Sequence, residues 1–143
     1  MKKAISAILV LVVALSFCAC GGANSKYVGT YVGNWFRHFN HIPATSSKYV
    51  DSYNVTKNGE FTYVLNSDGT GSVRFVVKEL FDETNVEMYN CPISWEVVGE
   101  YIYISGSCES PYAEDTIEID DRFVLEGKDL SNGYEGGSIF RKQ

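Results

Sequence analysis

Few side chains in this sequence could carry out chemistry, and they are far apart. His38 and His41, in "RHFNHIP", are the only histidines, so any imidazole base or imidazole metal ligand must come from them. Lone histidines of this kind are most often ordinary surface residues, and they are read as such. In "NSDGTGSVRFVV", Asn66, Asp68, Thr70 and Gly71 fill the first, third, fifth and sixth places of a calcium loop. The twelfth place is Val77 where a bidentate glutamate is required, and strand-like runs replace the flanking helices. The stretch therefore reads as a hairpin turn. No G-x-S-x-G elbow, H-E-x-x-H pair, P-loop or complete G-x-G-x-x-G is present. The expectation is a protein that is not an enzyme, with no catalytic residue, no metal and no cofactor.

Cysteine carries more information. In "CPISWEVVGEYIYISGSC", a two-residue turn at Gly99 and Glu100 sets Val97 opposite Ile102, Trp95 opposite Ile104, Ile93 opposite Gly106 and Cys91 opposite Cys108. All four pairs then share one face, and oxidation follows if the chain reaches an oxidising compartment. A Cys91–Cys108 disulfide is expected, against two buried free thiols. Metal ligation is the weaker reading, because two cysteines supply half of a zinc set and no histidine is close in sequence.

The other two cysteines, in "FCACGG", follow Lys2, Lys3 and an uncharged apolar run from Ala4 to Phe17. That is the layout of an export signal, and the run is short for a membrane-spanning helix, which needs roughly 20 apolar residues. Here the chain resembles bacterial lipoproteins, whose signal ends in an aliphatic residue, two small residues and the cysteine that becomes lipidated. Cys18 would place bulky Phe17 just before the cut. Cys20 has Ala19 and Cys18 before it and Gly21 and Gly22 after it. The resemblance implies lipidation of Cys20 and loss of Cys18, against a freely secreted chain or an uncleaved anchor. It divides the chain into a signal (1–19), a lipidated terminus with a short tether (20–25) and one folded domain (26–143). Six residues from Cys20 to Lys26 reach at most about 20 Å, which would hold the domain close to the extracytoplasmic face of the cell membrane.

Without Lys2 and Lys3, ten basic residues face eighteen acidic ones, a formal charge of −8. This argues against nucleic acid as a partner and against adhesion to anionic lipid by charge alone. No lysine or arginine occurs between Lys78 and Arg122, where twelve acidic residues do. In "AEDTIEIDD", period-two alternation puts Ile117 and Ile119 on one face and Glu118 and Asp120 on the other, so the carboxylates are expected to point outward. From Lys26 onward, short β-branched and aromatic runs alternate with turn signals, and no 3.6-residue periodicity is sustained. Strands are expected near 27–38, 49–56, 60–66, 71–80, 92–98, 101–107, 115–120, 122–127 and 134–141, some of them merging. Residues 40–47 read as a loop, and 82–91 as a helical turn or an extra strand. The turns "NSDGTG", "VVGEY", "DD", "EGKD" and "SNGYEGG" imply sequential hairpins. The fold class is all-β, an antiparallel up-and-down meander of about eight strands that closes into a barrel to protect its edges.

"YVGTYVGNW" resembles the glycine-x-aromatic opening of lipocalin-type barrels, and the chain is similar to small lipocalin-like bacterial lipoproteins in its "GTY", "DGTG", "ISW" and closing "GGSIFRK". The resemblance implies a barrel base in which Gly33 lets the first strand enter and Trp35 packs under Arg141 of the last strand. It also implies a cup in which Phe61, Tyr63, Phe75 and Trp95 could line a cavity for a small, largely apolar ligand. The alternative is a filled barrel serving as an interaction or scaffold module for an envelope protein partner. A monomer is expected in either case.

Overall fold

The computed structural model describes residues 24–42, 52–77, 85–113, 115–133 and 137–143. The proposed signal, Cys20 and most of the tether lie outside these residues. A 3-10 turn, Ser25–Tyr27, leads into eight strands: β1 (Gly29–Ile42), β2 (Ser52–Leu65), β3 (Thr70–Val77), β4 (Val86–Val98), β5 (Tyr101–Cys108), β6 (Ile117–Glu126), β7 (Asp129–Ser131) and β8 (Ile139–Lys142). Each strand pairs antiparallel with the next, and β8 returns to β1 to close the ring. The all-β, up-and-down architecture is as expected, and it is compatible with a lipocalin-like barrel.

Several strands differ from the expected segmentation. The runs 49–56 and 60–66 are one strand, β2, because Gly59 is not in a turn. It sits where β3 passes so closely that a Cβ would collide with the Val76 carbonyl oxygen. The runs 115–120 and 122–127 are likewise one strand: the adjacent aspartates lie within β6 and not in a turn. β1 continues to Ile42, into the segment expected to be a loop, and β4 begins at Val86, six residues before the expected start. Of the expected run 134–141, residues 134–136 lie outside the described residues and the strand β8 begins at Ile139, and the three-residue β7 was not anticipated.

The two ends of the barrel differ. Connections 66–69, 99–100 and 127–128 are four, two and two residues long and share an end with the N-terminal 3-10 turn. Gly99 and Gly127, at φ of 65° and 66°, supply the left-handed backbone that two-residue hairpins need. The connections at the opposite end run nine, eight, eight and seven residues: 43–51, 78–85, 109–116 and 132–138. The short-turn end is plugged. Tyr27 is buried, its carbonyl accepts the Tyr31 hydroxyl at 2.7 Å, and its ring meets Trp95 edge-on at 6.4 Å. The Trp95 indole N–H donates to the carbonyls of Asn66 and Thr70, and the Trp95 backbone N–H donates to the Gly69 carbonyl. The β2–β3 turn is thereby tied to β4.

Candidate functional site

Inside the barrel, period-two alternation turns Tyr31, Trp35, Arg37 and Phe39 of β1 and Phe61 and Tyr63 of β2 inward, with Phe75, Phe123 and Phe140 from later strands. Phe61 stacks on Phe75 with centroids 4.2 Å apart, Phe123 meets Phe140 at 5.2 Å, and Tyr63 meets each of those two at 5.3 Å. The rings occupy the space that an eight-stranded barrel can either fill or leave for one ligand. Three of the expected cavity residues, Phe61, Tyr63 and Phe75, do face the interior, but they line it as a packed stack. Trp95 is buried as well and is spent on sealing the short-turn end.

Beside the stack lies a polar cluster. Arg37 of β1 reaches Asp121 of β6, Nη2 lying 3.2 Å from Oδ2 and 3.4 Å from Oδ1. The Tyr63 hydroxyl donates to Asp121 Oδ2 at 2.8 Å, and Arg37 Nε donates to the Tyr89 hydroxyl at 3.1 Å. The guanidinium also sits 5.8 Å above the Phe61 ring. Asp121 is 4% exposed and Arg37 21%. Burial, the largest single influence, would lower the Arg37 pKa, but the Asp121 carboxylate together with Tyr89 and Tyr63 outweighs it and leaves the group raised and charged. Burial, reinforced by Asp121, pushes Tyr63 well above the usual phenol range. Burial raises Tyr89 to about 12, with Arg37 pulling the other way. Both phenols stay protonated and serve as hydrogen-bond donors or acceptors, not as bases at neutral pH.

This cluster escaped the sequence reading for two local reasons. Unbroken alternation through β6 brings Asp121 inward after Ile117 and Ile119, whereas a turn at the aspartate pair cuts the pattern one residue too soon. Glu118 and Asp120 face out as expected, and Asp121, which that pattern left unassigned, faces in. Tyr89 owes its place to a bulge: Phe75 pairs with Tyr89 and Val76 with Glu87, leaving Met88 as an extra residue on β4. The Met88 carbonyl accepts the Ser110 hydroxyl, which ties the β5–β6 connection to the bulge.

The barrel-base expectation is half corrected. Gly33 is a point of close approach, since a Cβ there would lie 2.6 Å from the Ile139 carbonyl oxygen. Arg141 does not cover Trp35. In β8 it is Phe140 that points inward, and Arg141, paired with Val32, is exposed on the outer face. Trp35 packs instead on Phe61, Phe123 and Phe140, with centroids 5.8–6.1 Å away. The hairpin register around Gly99 is as expected, with Trp95 opposite Ile104 and Ile93 opposite Gly106. Cys91 and Cys108 come to disulfide distance, with Cα atoms 5.3 Å apart. His38 is exposed and contacts the Thr56 hydroxyl at 3.2 Å, and the His41 side chain lies outside the described residues.

A cleft of about 130 Å³ opens above the polar cluster, between Arg37–Asn40 of β1 and Asp115–Glu118 at the start of β6. Among the described residues, no group of three or more histidine, cysteine, aspartate or glutamate side chains is placed to hold a metal ion. Compared with known proteins, the chain matches no family model, no curated protein and no solved structure.

Proposed function

We propose that this chain is an exported lipoprotein, anchored through Cys20, whose barrel is a non-enzymatic module for binding an envelope protein. The observation that carries this reading is the interior: stacked rings and the Arg37–Asp121 pair occupy the space a carried ligand would need. The polarity of the fold supports it as well. The tether, residues 20–25, enters at the plugged, short-turn end, so the four long connections would face away from the membrane and toward partners. In this reading, two or three acyl chains hold the domain at the surface, since each buried methylene contributes about 0.8 kcal/mol.

Carriage of a small apolar ligand is the second reading. It is favoured by the inward placement of Phe61, Tyr63 and Phe75, and it requires the Phe61–Phe75 stack to part on binding. Photo-crosslinking in the host cell tests the first reading. A photoreactive residue at Thr116, on a long connection, should yield protein adducts, and one at Lys128, in a short turn, should not. Adducts at neither position, at Lys128 only, or at both equally would overturn it.

A further inference from the structure

The ring of strands closes over only part of its height. β1 pairs with β2 from Gly29 to Ile42, but its ladder with β8 consists of Tyr31–Lys142 and Val32–Arg141. β6 pairs with β5 from Ile117 to Val124, while its ladder with β7 begins at Val124 and runs to Glu126. Because β7 and β8 are three and four residues long, residues 34–42 of β1 and 117–123 of β6 have a paired neighbour on one side only, among the described residues. These two edges face each other across a notch at the long-connection end. The cleft described above lies in this notch, and the Arg37–Asp121 ion pair spans it from the inside. Lower down, β7 and β8 fill the ring between β6 and β1; above them, the side chains of Arg37 and Asp121 together reach across the gap.

We propose that this notch is a strand-addition site for an extended, basic segment of the partner protein; the inference rests on the interaction reading above. Alternate backbone N–H and C=O groups on an unpaired edge are a template for another strand. A single added strand would run antiparallel to one edge and parallel to the other. Charge selects the occupant. Asp115 and Glu118 are exposed at the mouth with no ion-pair partner among the described residues, and Asp120 follows on the same outer face. Arg37 adds no net positive charge there, because Asp121 cancels it. Two of the most exposed large apolar side chains, Phe36 at 61% and Ile139 at 49%, sit on the outer surface at the lower part of the notch. A second copy of this chain fits less well, because it is acidic.

The test uses the full chain, isotope-labelled in detergent micelles, and a capped six-residue peptide of alternating valine and lysine. Valine would face the interior rings and lysine the carboxylates. Binding should shift the backbone amide signals of residues 34–42 and 117–123. It should be lost when alternate peptide nitrogens are methylated, and Asp115→Lys with Glu118→Lys should weaken it about tenfold or more. A peptide with glutamate in place of lysine should bind the reversed-charge variant better than the native chain. Shifts confined to other residues, undiminished binding of the methylated peptide, no binding at millimolar concentration, or self-association through the same amides would each overturn the proposal. If adducts still form at Thr116 while the peptide fails, the notch is wrong and the interaction reading stands.

Discussion

Replacing Asp121 should expose what the interior ion pair contributes. Its carboxylate is nearly inaccessible, accepts the Tyr63 hydroxyl and is the one carboxylate within ion-pair distance of Arg37 among the described residues. Asp121→Ala takes the partner from Arg37 and from Tyr63 at once and leaves a guanidinium facing Phe61 and Tyr89. Breaking a buried pair costs about 3–5 kcal/mol. Arg37 keeps a fifth of its side chain in contact with solvent, so the expected loss is at the lower end of that range, about 3 kcal/mol. Asp121→Asn keeps an acceptor for Tyr63 and should lose less, about 1–2 kcal/mol. Arg37→Met combined with Asp121→Leu removes both charges and should fall within about 1 kcal/mol of the native chain. Urea unfolding followed by circular dichroism supplies the four stabilities of the cycle formed by Arg37→Met and Asp121→Leu. The expected coupling is at least about 2 kcal/mol, and additivity within about 0.5 kcal/mol would refute the reasoning.

Other perturbations have equally definite outcomes. If Cys91 and Cys108 are bonded, Cys108→Ser should lower stability by about 3 kcal/mol, as expected for a loop of this length. Thiol titration of unfolded, unreduced protein should then find neither cysteine reactive; two reactive thiols there would contradict the bond. Tyr89 is raised to about 12 by burial, above its unfolded value of 10.0, so the stability linked to it is complete below pH 10 and is lost as pH rises toward 12. Tyr31 moves the same way, to about 12, through burial and Asp129. Melting temperature should therefore fall steeply above pH 10 together with a rise in tyrosinate absorbance, and a flat profile to pH 12 would contradict the burial of both rings. Gly33→Ala drives a methyl against the Ile139 carbonyl and should cost about 1–3 kcal/mol in denaturant unfolding, whereas a neutral result would mean that β8 does not pass so close.

The hairpin from Cys91 to Cys108 was fully legible because one turn glycine and strict alternation determine every pairing in it. The eight-strand count was also legible, although its parts were not. Gly59 looks like a turn residue in one dimension and serves as a crossing point in three. A correct turn reading at Gly99 and an incorrect one at Asp120–Asp121 rest on the same kind of local evidence, and only the pairing of β6 with β5 across both aspartates separates them. Tyr89 depends on a bulge that no local pattern announces. The Trp35–Arg141 expectation failed on parity: one residue's difference in β8 puts Phe140 inside and Arg141 outside. The notch was invisible in the sequence because it arises from the shortness of β7 and β8 relative to β1 and β6, a property of the closed ring.

Native mass spectrometry of the chain recovered from its own host's envelope tests the central claim most directly. The account predicts the mass of the polypeptide from Cys20 onward plus its acyl groups, with no small molecule retained under gentle ionisation. A stoichiometric small molecule that stays with the folded protein and leaves on unfolding would contradict a filled barrel and restore the carrier reading.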